Sequence, residues 1–555
     1  MRIYNLRRLL LVSTIILFAS SCMLNHHNDS DDGLASFSTG SLAAHIKILA
    51  SDSFQGRKPF TQGEVRTVDY LQKEFTAAGL EPGNGSSYLQ DVPMIDVLSH
   101  PAPTMEVTSG KGNLQLKGYD EYVFSTPKTD SLITLDKSPV VFAGYGVVAP
   151  EYNWNDYAGL DVKGKIVMVL VNDPGFNNGD TTLFKGKTMT YYGRWTYKFE
   201  EAARQGAKGC LVIHSTAAAS YPFSVLQNSW NTSALRLDNK DEKLLDAEGW
   251  ITTEAAKKLI VAGGQDTGII AKADIPGFKA VALNATVSTT IKTAVTFNKS
   301  HNVIGKITGS KYPNEYIVFT AHWDHLGIGK PDATGDSIYN GAIDNASGTA
   351  SLLEFAKAWK SQQTPPERTI VFLAVTGEEQ GLLGSHYYAE HPVYPAAATV
   401  ANLNVDEVNW YGKTKDIMVV GKGQNTLEDL LKEEASKRGR YISYDNKPEA
   451  GHYFRSDHFS FAKVGVPALC QNMGIDVVGK GPAYGKQQEE EFNDKHYHGQ
   501  SDQYNPNWDL SGAVDDLQLL FMVGKRLAYE HIWPAWKTGS EFKAERDKTA
   551  TERSE

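Results

Sequence analysis

The residues able to do chemistry stand at the ends of apolar runs. His322 and Asp324 follow EYIVFTA, Glu378 and Glu379 follow TIVFLAV, and Asp406 follows NLNV. Asp344 lies in the loop GAIDNASG, just ahead of a helical pattern. One imidazole and several carboxylates gathered in one crevice repel one another strongly unless a cation sits among them, so their convergence predicts a metal site. Adjacent side chains on an extended segment point in different directions. Glu379 can therefore ligate a metal while Glu378 faces the water that the metal polarises and takes its proton. Taken alone, the Glu-Glu pair reads equally well as the solvated start of a helix, where negative charge is favourable.

Positioning these groups is the task of alternating elements. From Asn302 onward the chain reads EYIVFTA, the helix ASLLEFAKAW, TIVFLAV, TVANLNV, then DIMVV followed by LEDLLKEEASKRG. Strand, helix, strand at this spacing predicts an α/β domain with a mostly parallel sheet covered by helices on both faces. The carboxyl ends of such strands form the ligand crevice, where the polar residues fall. Nearer the N-terminus, Val65, Val68, Leu71, Phe75 and Ala78 recur at helical spacing and Gly79 supplies a stop. Between about Pro139 and Pro276 the texture changes to strand-rich segments with Gly and Pro punctuation. There KGKIVMVLV, YKFEEAARQGA and KGCLVIH read as a small βαβ unit.

At 555 residues with a 41% apolar share, the chain can bury more than one core. A formal charge of -10 argues against a nucleic-acid surface. MRIYNLRR, the apolar run LLLVSTIILF and small residues ahead of Cys22 read as a secretory signal. Its ending resembles a bacterial lipoprotein signal, which implies lipidation at Cys22 and attachment to a cell-envelope membrane, with the outer membrane expected. Cys210 and Cys470 sit singly in apolar runs and are expected as buried free thiols.

The series HWDH, AIDNASG, TGEEQG, NVDE and YHGQSDQY resembles the catalytic domain of the di-zinc exopeptidase family that includes bacterial leucyl aminopeptidases and aminopeptidase S. HIKILASDSFQGR and SDHFSFAKVGVPAL are similar to further segments of that family, and the region from Val140 to about Ile213 resembles its protease-associated insert. The resulting division has a signal at 1–22, a polar tether at 23–40 and a first catalytic part at 41–138. A protease-associated insert at 139–285, the peptidase domain at 298–536 and a charged, disordered tail at 537–555 follow.

The resemblance implies a phosphorylase/hydrolase-like fold holding two zinc ions, with cobalt or manganese able to occupy the same ligands. It gives His322 and Asp406 to one metal, Glu379 and His498 to the other, and Asp344 to both. Glu378 becomes the general base and Asp324 the support of His322. A cis peptide after Asp344 is also implied. His325 competes with His322, and His496 with His498. His458 is expected to be a hydrogen-bonded structural histidine, and Asp502 either supports His498 or caps a turn. The activity implied is removal of N-terminal residues from peptides. Carboxypeptidase action, glutaminyl-cyclase-like transfer and a non-catalytic binding ectodomain are the alternatives; the filled ligand set argues against the last two.

Overall fold

The computed structural model describes residues 33–240 and 242–549. The signal and Cys22 lie outside the described residues, as does the tail beyond residue 549. The elements that build the catalytic half are helices α1 (Thr39–Leu49) and α2 (Gln62–Ala77), the long strand β1 (Val281–Ile307), strand β2 (Tyr312–His322) and helix α3 (Gly348–Lys360). Strands β3 (Arg368–Val375), β4 (Thr399–Val405) and β5 (Asp416–Val419) come next, then helix α4 (Leu427–Lys437), strands β6 (Tyr441–Tyr444) and β7 (Ala468–Asn472), and helices α5 (Pro482–Lys495) and α6 (Ser511–Tyr529).

Their sheet runs β1-β3-β2-β4-β7-β5-β6. β3, β2, β4 and β7 are mutually parallel, and antiparallel pairing enters where β1 joins β3 and β5 joins β7. β-Branched and aromatic residues buried on both faces explain the unbroken apolar runs. Ile317, Phe319 and Ala321 enter a core with α1, α2, α3 and α6, while Val318 faces the opposite layer with Tyr388 and Phe461. A one-residue slip would exchange these faces, so the register is tightly held. That register pairs His322 with Val375 and Thr320 with Asn404. The residues just past β2, β3 and β4 therefore emerge at one edge.

The strand-rich region forms its own cores, and its expected βαβ unit is present. Ile166–Leu170 and Gly209–His214 pair in parallel on either side of the helix Trp195–Arg204. It joins the catalytic half through an antiparallel ladder between Leu89–Pro101 and β1, from Val303↔Leu89 to Ile291↔Pro101.

Three boundaries shift from the sequence reading. Met105, Val107, Leu116, Phe124, Ile133 and Leu135 are buried with residues 140–291, so strands ahead of residue 139 pack with the insert. The polar tether ends before residue 40, because Leu34–Ser36 forms a turn and Phe37 is buried against Phe355 and Phe521. The charged stretch after Lys537 packs as well: Phe542 is buried, and Arg546 donates to the carbonyls of Ala396 and Thr399. Average composition hid these anchors, since one aromatic side chain with satisfied polar neighbours fixes a segment that is hydrophilic overall. Among the described residues, no helix is long and apolar enough to cross a membrane.

Candidate metal centre

His322 closes β2, and its Nε2 lies 3.3 Å from both Asp344 Oδ1 and Asp406 Oδ1. The other oxygen of Asp344 lies 3.1 Å from His498 Nε2, which is also 3.0 Å from Glu379 Oε2. Asp344 thus turns one oxygen to each of two histidines. Ligand-type atoms of His322, Asp344 and Asp406 lie within 4.8 Å of one another, and so do those of His325, Asp344 and Glu379. The five ligands read from the sequence are brought together. His496 turns away to Ser501.

The Asp344 loop is fixed by several local devices. Gly341 takes a left-handed φ of 55°, and a Cβ there would lie 2.2 Å from Asp344 O, so a side chain has no room. The Asp502 carboxylate accepts from the backbone N–H groups of Ile343 and Asp344. Of its two expected roles it therefore takes the turn, holding the metal-ligand loop instead of the His498 ring. The Asp344–Asn345 peptide is cis, as the resemblance implies. Asn345 donates to Val405 O and accepts from Gly348 and Glu407 N–H, tying this loop to the end of β4 and the start of α3.

Asp324 reaches its partner differently from the sequence reading. The hydrogen-bond acceptor facing His322 Nδ1 is the backbone carbonyl of Asp324 at 3.2 Å, with the carboxylate at 3.7 Å. That carboxylate accepts from Glu378 N–H, so Asp324 holds Glu378 as well as His322. His325, three residues past His322, swings to the second cluster and lies 2.5 Å from Glu379 Oε1. It accompanies Glu379 and does not compete with His322. His458 is fully buried against the Tyr453 ring, in a structural position. Cys210 and Cys470 are buried free thiols.

Burial and mutual repulsion dominate the electrostatics. Burial lifts Asp324 to about 7 despite the pull of His322. Glu378 is raised well above the carboxylate range by burial and by Asp406 and Glu379, against the pull of His322. Burial opposes charge on His498, but hydrogen bonds to Asp344 and Glu379 carry it up to about 10. A site that holds protons this tightly exchanges them for cations when metal binds. Imidazole nitrogens with carboxylate oxygens form a donor set suited to zinc, and the residues present fit it.

Four further residues matter that sequence reading passed over. Arg57 is completely buried and donates to the carbonyls of Leu49, Trp323, Asn340 and Gly341, lacing the two ligand loops together. Its charge also offsets the acidic cluster. Glu407 borders the cavity beside Asp406. Asp457 lies fully buried near His322, and burial lifts it to about 7. Asn345 is the fourth. The SFQGR stretch was a visible signal for Arg57; the others carry none beyond their motifs.

A parallel sheet that presents imidazoles and carboxylates as two overlapping cation-sized clusters defines a metal-binding α/β domain of the kind that activates water. Residues 302–522 match the profile of Peptidase family M28. A probable zinc metalloprotease of Pyrenophora teres f. teres (strain 0-1) is 40% identical over 107 residues, 19% of this chain and 21% of its own. Aminopeptidase YwaD of Bacillus subtilis (strain 168) is 31% identical over 182 residues, 31% of this chain and 35% of its own. Carboxypeptidase Q of Xenopus laevis is 28% identical over 232 residues, 42% of this chain and 40% of its own. The chain spans about a fifth of the length of the first of these relatives and less than half of the other two.

Proposed function

We propose that this protein is a zinc-dependent aminopeptidase with two metal positions, releasing N-terminal residues from peptides. The observation that carries it is Asp344, whose oxygens face His322 at 3.3 Å and His498 at 3.1 Å, the arrangement of a carboxylate shared by two cations. His322 and Asp406 would hold one zinc and Glu379 and His498 the other, with Asp344 contributing to both. When bound, zinc polarises the scissile carbonyl and acidifies the attacking water.

Glu378 borders the cavity, and its buried carboxyl keeps a high proton affinity. It takes the proton of the attacking water and returns it to the leaving amine. Asp324 fixes Glu378 by accepting its backbone N–H. Asp406 and Glu407 line the adjoining wall, where their carboxyl oxygens can accept hydrogen bonds from the substrate's α-amino group.

A tripeptide, its N-acetylated form and its C-terminal amide, assayed with and without chelator, test the reading. The expected product is the first residue, released from the free and amidated peptides only, with activity lost to chelator and restored by zinc. Release of the last residue would instead establish C-terminal action. Export and lipid attachment at Cys22 belong to the same proposal; mass spectrometry finding an unmodified N-terminus beyond Cys22 removes the anchor.

A further inference from the structure

The cavity of about 710 Å³ that opens on Asp344, Glu378 and Asp406 extends to a wall built from residues 445–456 and α5. Most charges there are already matched. His452 lies 2.9 Å from Asp445, and Lys486 lies 3.6 Å from Glu490. Arg455 differs: it donates to Ala450 O, and among the described residues no carboxylate stands in ion-pair contact with it. Lys447, on the same wall, acts on the carboxylates of Asp445 and Glu489.

A second cation from the insert stands near the turn that carries Arg455, since a Cβ at Gly451 would lie 3.5 Å from Arg194 Cδ. Arg194 precedes the helix Trp195–Arg204, has no carboxylate partner among the described residues, and is pushed down to about 10 by burial and by Arg455. Its segment is fastened to the catalytic half: Met189 N–H donates to Pro448 O, and Glu200 pairs with Lys463 at 3.0 Å. A buried guanidinium whose charge is disfavoured by a second one on the cavity wall is stabilised, with that neighbour, by an anion that enters. The cavity that opens on the acidic cluster thus also presents a guanidinium with no carboxylate in ion-pair contact among the described residues.

We propose that Arg455, backed by Arg194, is a subsite for the free C-terminal carboxylate of a short peptide whose scissile bond lies at Glu378. This rests on the peptidase reading and names its substrate class: short peptides with an unblocked C-terminus. The insert then selects substrates by supplying Arg194 and by bracing the turn that carries Arg455.

The test is calorimetric binding of Leu-Gly-Gly and of its C-terminal amide to full-length, zinc-loaded Glu378→Gln protein. The free acid should bind about tenfold more tightly than the amide. Adding Arg455→Gln should bring that ratio near one, Arg455→Lys should keep part of it, and Lys486→Gln should leave it unchanged. Equal binding of acid and amide overturns the subsite. So does Arg455→Gln weakening both ligands alike, the mark of a residue that only supports the turn at Ala450. Hydrolysis of both peptides by the unsubstituted enzyme is measured in parallel. Cleavage without discrimination sinks the subsite alone; no cleavage of any peptide sinks the peptidase reading, while the binding ratio still decides the anion site.

Discussion

Glu378 and Glu379 are neighbours in sequence, and burial raises the proton affinity of both. For Glu379, His325 and His498 overcome burial and pull it below the ordinary value, whereas Glu378 stays well above. Two like groups pushed apart in this way suit the unlike roles proposed for them, one ionised as a ligand and the other moving protons. Glu378→Gln is therefore expected to retain zinc by metal analysis while kcat falls by at least ~100-fold. Arg57 acts through other groups. Arg57→Leu leaves several buried carbonyls without donors at ~1–3 kcal/mol each, and is expected to cost at least ~3 kcal/mol in denaturant unfolding and to weaken zinc retention.

At the scale of elements, the start of α3 shows how closely the metal loop is packed. In an exposed helix Gly→Ala stabilises by about 1 kcal/mol. At Gly348 a Cβ would lie 2.3 Å from Asn345 Oδ1 and 2.6 Å from Val405 O. Gly348→Ala should thus lower the melting temperature and the zinc affinity together. His458, at the start of the helix His458–Lys463, gives a pH signature, since burial pushes its imidazole down to about 3. The unfolded chain takes up that proton below about 6.5 while the native state refuses it. Stability is full above pH 6.5 and falls as pH drops toward 3, by at most ~1.4 kcal/mol per pH unit. His458→Gln should flatten this part of the profile in denaturant unfolding at pH 7, 6 and 5.

Across the whole molecule, the insert and catalytic half share β1, and the ladder between Ile291 and Pro101 is the junction. Cutting at residues 139 and 285 strips partners from Met105, Val107, Leu116 and Phe124, so that deletion should expose apolar surface and bind a hydrophobic dye. Joining Pro101 to Ile291 by a short turn removes the entire insert core, and should give a soluble chain that still retains zinc. The sheet itself was legible because both of its faces are buried: runs such as TIVFLAV and TVANLNV have few other interpretations. The junction was not, because a 27-residue strand serving two cores carries no punctuation where one core ends and the next begins.

Sequence by itself determined the order of strands and helices and the placement of His322, Glu378, Glu379 and Asp406 just past the apolar runs. Periodicity and turn chemistry are local, so they survive reading in one dimension. His498 and the sharing of Asp344 came from motif resemblance. Tertiary structure alone decided that Arg57 joins two ligand loops, that Asp324 turns its carbonyl to His322 and its carboxylate to Glu378, and that Arg194 from the insert lies near the turn carrying Arg455. These depend on which distant backbones approach within hydrogen-bonding or Coulombic range, and chain spacing does not encode that.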